Sequence, residues 1–171
     1  MTSERLSECD DGVPFFTLEG QTMSAKIVDV YDADSLRAVV EREGELQKFS
    51  IRLTGIDTPE KRSRNPLERR AAKAAHARLL GLLGVGGKRR KEVRKSCAES
   101  RRLVELSCGS FDKYGRLLVK LYISDALAGG GTGVRRLCAN EELVRMGVAK
   151  HYDGGTKEAW RDDELRTIAG E

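Results

Sequence analysis

The stretch Arg52-Leu53-Thr54-Gly55-Ile56-Asp57-Thr58-Pro59-Glu60 puts an arginine, two carboxylates, hydroxyls and a proline into one short segment. Two further pieces extend the set: Asp32-Ala33-Asp34-Ser35 upstream and Asp112-Lys113-Tyr114-Gly115-Arg116 downstream. Carboxylates without histidine or cysteine partners suit a hard, oxygen-seeking cation such as Ca²⁺ or Mg²⁺. Two guanidinium forks suit phosphate oxygens, which they bind bidentately while staying charged at any useful pH. In-line attack on a phosphodiester builds negative charge on equatorial oxygens that such groups stabilise. Glu60 can orient the attacking water or take its proton.

Each piece also has a plainer reading. Asp32 and Asp34 flank one residue at the entry to a strand, where like carboxylates repel unless a cation lies between them; an Asx-capped turn explains them equally. Asp57-Thr58-Pro59-Glu60 follows apolar Ile56 and also reads as a helix start. Arg52 alternates with Ile51 and Leu53, so it faces away from them and could simply face solvent. Arg116 follows Tyr114-Gly115 and could simply close a hairpin. The coincidence of all three segments favours phosphate chemistry. His76 and His151 read as structural or surface residues, and the four cysteines as packed or exposed thiols. No Cys-x-x-Cys pair is present, which argues against structural zinc.

The elements that must position these residues are legible as patterns. Residues 1–22 read as a polar extension whose apolar piece, Val13 to Leu18, could dock as an extra strand. Strands are expected at about 24–31, 34–42 and 46–54, with Leu36, Ala38 and Val40 on one face and a hairpin turn at Gly44. Pro66 opens an alanine- and leucine-rich helix that Gly84 stops. Residues 84–101 read as a basic, mobile insertion. Strands return at about 102–108 and 116–123, and a glycine loop follows at 129–133. Helices are expected at 135–146 and about 156–168. The fold class is α+β and β-rich: a five-stranded OB-fold Greek-key barrel with about three packed helices.

Net charge is only +4 over 171 residues, but residues 61–102 carry fifteen Lys or Arg against three acids, leaving the rest of the chain at −8. That asymmetry suggests a polyanion-facing side. Neither a signal-peptide pattern nor an apolar run of membrane-span length is expected. The expectation is an intracellular, cytoplasmic chain with reduced thiols; the run Lys88-Arg89-Arg90-Lys91 reads as a nuclear-localisation patch or a nucleic-acid contact.

From about Ala25 to Tyr152 the chain resembles the staphylococcal (thermo)nuclease family, on the three motifs above, their strand-helix order and the later stretch Asn140 to Ala149. The resemblance implies a 23–171 SNase-like OB-fold domain after the 1–22 extension, with the basic insertion at 84–101. It implies a Ca²⁺-dependent nuclease, with Mg²⁺ as the alternative ion, that hydrolyses single-stranded DNA or RNA to leave 3′-phosphate ends. Asp34 and Asp57 would be the calcium carboxylates, with the Thr58 carbonyl beside them and Asp32 behind. Arg52 and Arg116 would clamp the scissile phosphate, and Glu60 would be general base or water-orienting residue. Lys113 and Tyr114 would contact a neighbouring phosphate, and Tyr152 would line the base pocket. A monomer is expected, with no protein partner and no membrane. Ala33 stands where glycine is common in the family and would be strained if that position needs positive φ. The runner-up is a catalytically weak nucleic-acid-binding barrel. A reader of modified peptides ranks below both, since aromatic content is only 5% and no aromatic cage is evident.

Overall fold

A computed structural model describes residues 2–126 and 134–171. The glycine loop expected at 129–133 lies outside the described residues. The chain runs as strands β1 (Thr22–Val30), β2 (Ser35–Arg42) and β3 (Glu45–Leu53), short β4 (Ile56–Asp57), helices α2 (Pro66–Leu83) and α3 (Arg90–Glu99), then β5 (Val104–Phe111) and β6 (Leu117–Ala126). Strand β7 (Val134–Cys138), helix α4 (Ala139–Arg145), short β8 (Lys150–His151) and helix α5 (Asp162–Ala169) complete it, after a one-turn α1 (Thr2–Ser7) at the start.

The period-two pattern produces the first three strands as an antiparallel meander. In β2, Leu36, Ala38 and Val40 are buried while Arg37 and Glu41 face out. Glu43 and Gly44 both take left-handed backbone, φ 54° and 80°, the two-residue turn whose twist matches a tight hairpin. Strand β5 pairs with β1, β6 pairs with β5, and the first half of β6 runs parallel to the end of β3. That last pairing, Ile51 to Leu117 through Leu53 to Val119, closes a five-stranded barrel in the order β1-β2-β3-β6-β5. The expected OB-type barrel is therefore present. Its interior is filled by Leu36, Ala38, Ile51, Leu53, Leu106, Leu117, Val119 and Leu121, all buried. Burying each of the Leu, Ile and Val side chains contributes about 1.5–3 kcal/mol. The second half of β6 leaves the barrel and pairs with β7.

Helix α2 starts as expected: Asn65 accepts the Leu67 N–H at 2.9 Å and Pro66 takes the first position, where no donor is missed. It ends at Gly84, left-handed at φ 68°. Its buried face, including Ala71, Ala72, Ala75 and Leu79, is small, so the helix packs closely. Helix α5 lies on α2 through Leu165, beside Leu67 and Ala71.

Three expectations are corrected. The basic stretch after Gly84 is not a loop throughout: residues 90–99 form α3, which sits on β1 through buried Val93 and Cys97. Residues 13–18 form no strand; Leu18 is buried, but Phe15 is exposed and Phe16 leans on Phe111 at 6.2 Å under the Arg42 guanidinium. Pro14 supplies no donor for a ladder there. Helix α4 is shorter than 135–146, because residues 134–138 extend β6's pairing as β7. No described helix is long and apolar enough to cross a membrane.

Candidate active site

The barrel brings the three motifs together through hydrogen-bonded contacts. Arg52 leaves β3 between fully buried Ile51 and Leu53, so its side chain points to the outer side of the barrel wall. There its Nη2 lies 3.0 Å from Asp34 Oδ2, 4.0 Å from Asp57 Oδ1 and 3.5 Å from the Ile56 carbonyl, to which it donates. Ser35 pairs with Arg52 across the β2–β3 ladder, and its hydroxyl donates to Asp34 Oδ1 at 2.8 Å. Arg116 Nη1 in turn donates to Ser35 Oγ at 3.5 Å. One Asp-Ser pair thus links both guanidinium groups.

Arg116 is fixed from behind. Asp112 accepts the backbone N–H groups of Tyr114 and Arg116, each at 2.9 Å, and Arg116 Nε at 2.7 Å. Burial alone would raise the Asp112 carboxyl, but these hydrogen bonds and the guanidinium charge outweigh it and hold it below its ordinary range. Exposed Tyr114 lies beside Arg116, its ring centre 5.5 Å from the guanidinium and 5.2 Å from the Lys113 ammonium.

Asp57 and Thr58 are buried, where the two-residue strand β4 meets β8. That pairing delivers Tyr152: its N–H donates to the Gly55 carbonyl at 3.0 Å, and its ring centre is 5.9 Å from the Arg52 guanidinium. A cavity of about 220 Å³ is lined by Asp57 together with residues of the segment 150–158, Tyr152 and Thr156 among them.

Lys157 has no counterpart in the motifs read from the sequence. Its ammonium lies 2.6 Å from Asp57 Oδ1 and 3.2 Å from Glu60 Oε1. Burial would lower this ammonium, but the two carboxylates more than offset that and hold it above the usual lysine range. Glu60 itself is largely exposed, and its backbone N–H donates to Glu68 at 3.1 Å. Nothing in the spacing marks Lys157, which follows a Gly154-Gly155 turn and reaches the site only through the β4–β8 pairing.

Asp32 and Asp34 go to different cations rather than sharing one. Asp32 pairs with Lys61 at 3.3 Å, and Lys61 also donates to the Tyr31 carbonyl. The two aspartates lie in the bend before β2, not on the strand, so the two-residue period does not align them. Ala33 between them is buried and does not have positive φ, so the strain expected of it is absent. His151 lies exposed in β8, and His76 on α2 donates its Nε2–H to the Val30 carbonyl at 3.1 Å. Burial pushes the Cys97 and Cys108 thiols up, which leaves both poor nucleophiles. Among the described residues no three His, Cys, Asp or Glu side chains gather in one metal-holding group; Asp34 and Asp57 instead converge on Arg52.

Residues 50–170 match the family model described as Staphylococcal nuclease homologue. No curated protein matches the chain. The matched span contains Arg52, Asp57, Glu60, Arg116, Tyr152 and Lys157, and begins just downstream of the Asp34-Ser35 pair that joins the two arginines.

Proposed function

We propose that this chain, which belongs to the staphylococcal nuclease homologue family, is a calcium-dependent nuclease that hydrolyses single-stranded DNA or RNA and leaves 3′-phosphate ends. The observation that carries the reading is the Arg52–Asp34–Ser35–Arg116 chain, which links two guanidinium forks through one Asp-Ser pair. Arg52 and Arg116 would hold the non-bridging oxygens of the scissile phosphate. Lys113 and Tyr114, beside Arg116, would take the next phosphate, and Tyr152, beside Arg52, would face a base. Glu60 would orient a water or accept its proton as the water oxygen attacks phosphorus. The 5′ oxygen would then leave with a proton, and the phosphate would stay on the 3′ side.

The donor set suits a hard cation. Asp34 and Asp57 approach one guanidinium nitrogen, and the ion-pair partners of buried Asp57 Oδ1 among the described residues are Arg52 and Lys157. Asp34, Asp57 and the Thr58 carbonyl would hold Ca²⁺, with Mg²⁺ as the alternative. When bound, the ion supplies positive charge that offsets the negative charge developing on the phosphoryl group.

One observation favours a second reading, a nucleic-acid-binding barrel with weak chemistry: the Lys157 ammonium already sits between Asp57 and Glu60. Cleavage assays separate the two. Labelled single-stranded DNA and a matching RNA are incubated with Ca²⁺, with Mg²⁺ and with chelator, beside Arg52→Ala. The nuclease reading expects cleavage with Ca²⁺ that chelator abolishes and Arg52→Ala reduces at least 100-fold, the scale of losing one transition-state donor, roughly 10²–10³. Salt-sensitive binding without cleavage would leave the second reading standing.

A further inference from the structure

The basic stretch that the sequence left as an insertion forms one wall of a groove. Docking α3 on β1 leaves a concave space of about 720 Å³ between α2 and the segment leading into α3. Its floor is apolar, with Val30 and Leu80, while its rim is cationic, with Arg62, Arg69, Lys73, Lys88 and Arg90. These cations come from three separate segments, the loop before α2, α2 itself and the stretch entering α3, so no single solvated helix face accounts for them. Among the described residues no acidic side chain pairs with Arg62, Arg69, Lys73 or Lys88. Arg69 donates to the Ser63 and Arg64 carbonyls at 2.9 and 3.0 Å, which fixes its guanidinium without cancelling its charge. His76, also on the wall, adds none near neutral pH: burial first, then the charge of Lys61, pushes its imidazole below the usual range.

The groove is continuous with the candidate site. Tyr31 and Arg90 line it and also line a depression of about 350 Å³ that reaches Ser35 and Arg116. Tyr31 stands at this junction, partly exposed, with the Lys61 and Arg90 charges 5.5 and 5.1 Å from its ring centre. A cationic track interrupted by an aromatic ring is the pattern by which single strands are held, phosphates on the charges and an unstacked base on the ring. A duplex keeps its bases stacked and would leave the apolar floor and Tyr31 unused.

We propose that the α2–α3 groove is an added binding site for single-stranded nucleic acid, taking the phosphates of the strand beyond the scissile position and leading them past Tyr31 to Arg116. The proposal rests on the nucleic-acid reading of the Arg52–Arg116 site and assigns α3 the work of extending it.

The test uses the full chain in chelator, so that substrate is bound and not cut, and compares it with the triple variant Arg62→Gln, Lys73→Gln, Lys88→Gln. All three residues are exposed, and thermal melting checks that the fold is kept. Fluorescence anisotropy measures a labelled trinucleotide and a twelve-nucleotide strand across a salt series. The wild type should bind the longer strand at least tenfold tighter. The variant should lose most of that advantage and flatten its salt slope by roughly 2, since each neutralised single-strand phosphate contributes about 0.7. Trinucleotide affinity should stay within about twofold. An unchanged slope for the longer strand would overturn the groove alone, as would an equal loss for the trinucleotide. A duplex weakened as much as the single strand would overturn the single-strand assignment. Failure of the wild type to bind either oligonucleotide would remove the proposal together with the reading it rests on.

Discussion

Lys157 is the residue whose position most changes how the site is understood. Asp57 and Glu60 are read as parts of a cation and water site, yet a tethered ammonium lies within contact distance of both. Any divalent ion entering beside Asp57 must displace that ammonium or sit near it with like charge. Like charges a few ångströms apart repel by several kcal/mol at the effective dielectric of a protein surface. Replacing Lys157 with glutamine keeps the stem and removes the charge. Calorimetric titration of Lys157→Gln should therefore show Ca²⁺ binding at least tenfold tighter than wild type, about 1.4 kcal/mol. The ion-free variant should melt at lower temperature, because Asp57 stays buried without its closest cation. Weaker Ca²⁺ binding in the variant would mean that Lys157 positions the carboxylates instead of competing for them.

Helix α3 shows how an element can be invisible in sequence and well determined in the fold. The barrel strands were legible because Leu36, Ala38 and Val40 alternate with polar residues, and α2 because Asn65-Pro66 opens and Gly84 closes an apolar run. Between Gly84 and Arg101 the apolar residues are Val85, Val93, Cys97 and Ala98, and only Val93 and Cys97 are spaced as a helix face, swamped by basic residues that suggest solvent. What fixes the helix lies outside that stretch: buried Asp29 on β1 pairs with Arg90 at 2.6 Å and Arg94 at 3.1 Å, and Lys26 donates to the Ala98 carbonyl. Burial by itself would raise the Asp29 carboxyl, but hydrogen bonds and charge from both arginines hold it below the ordinary value. The site was legible in the same partial way. Arg52, Asp34 and Arg116 stood in motifs, whereas Lys157 and the groove depend on pairings that no local spacing records. With its folded-state value depressed, Asp29 contributes stability that is present above the unfolded carboxylate value, about pH 4, and is lost as pH falls through the folded one. Hydrogen exchange, corrected for intrinsic rates, should show residues 90–99 protected at pH 5 and opening at pH 3 before the barrel strands do. Asp29→Asn should open the same helix already at pH 7, at a cost of about 2 kcal/mol, since the arginines are half-exposed and solvent screens them. Simultaneous loss of protection in α3 and in β1 would place Asp29 in the global fold instead.

At the scale of the molecule, barrel closure and site assembly depend on the same joint. The parallel β3–β6 pairing ends at Leu53 and Val119, and the chain then turns through Thr54-Gly55 to reach Asp57. Asn140, buried at the start of α4, seals that corner: its amide donates to the Thr54 carbonyl at 2.8 Å and the Val119 carbonyl at 3.0 Å, and accepts the Leu121 N–H at 3.0 Å. One side chain thereby holds the end of β3, the middle of β6 and the helix that leads to β8, whose pairing with β4 sets Asp57 and Tyr152 in place. No residue of similar size offers both an acceptor and two donors in that geometry. Asn140→Leu conserves approximate volume and removes a partner from three backbone groups, of which the Val119 carbonyl keeps the Thr54 N–H at 2.9 Å, while a group left dry costs about 1–3 kcal/mol. Neighbouring groups and entering water recover part of that, so a loss of roughly 3 kcal/mol is expected. It should appear as a fall in melting temperature of roughly 6–12 °C for a chain of this size. The variant should also lose cleavage more steeply than it loses stability at 25 °C, because the Thr54 turn carries Asp57 toward Arg52. Melting lowered with cleavage intact in the folded fraction would show that β4 is positioned by β8 alone, and that closing the barrel and building the site are separate tasks.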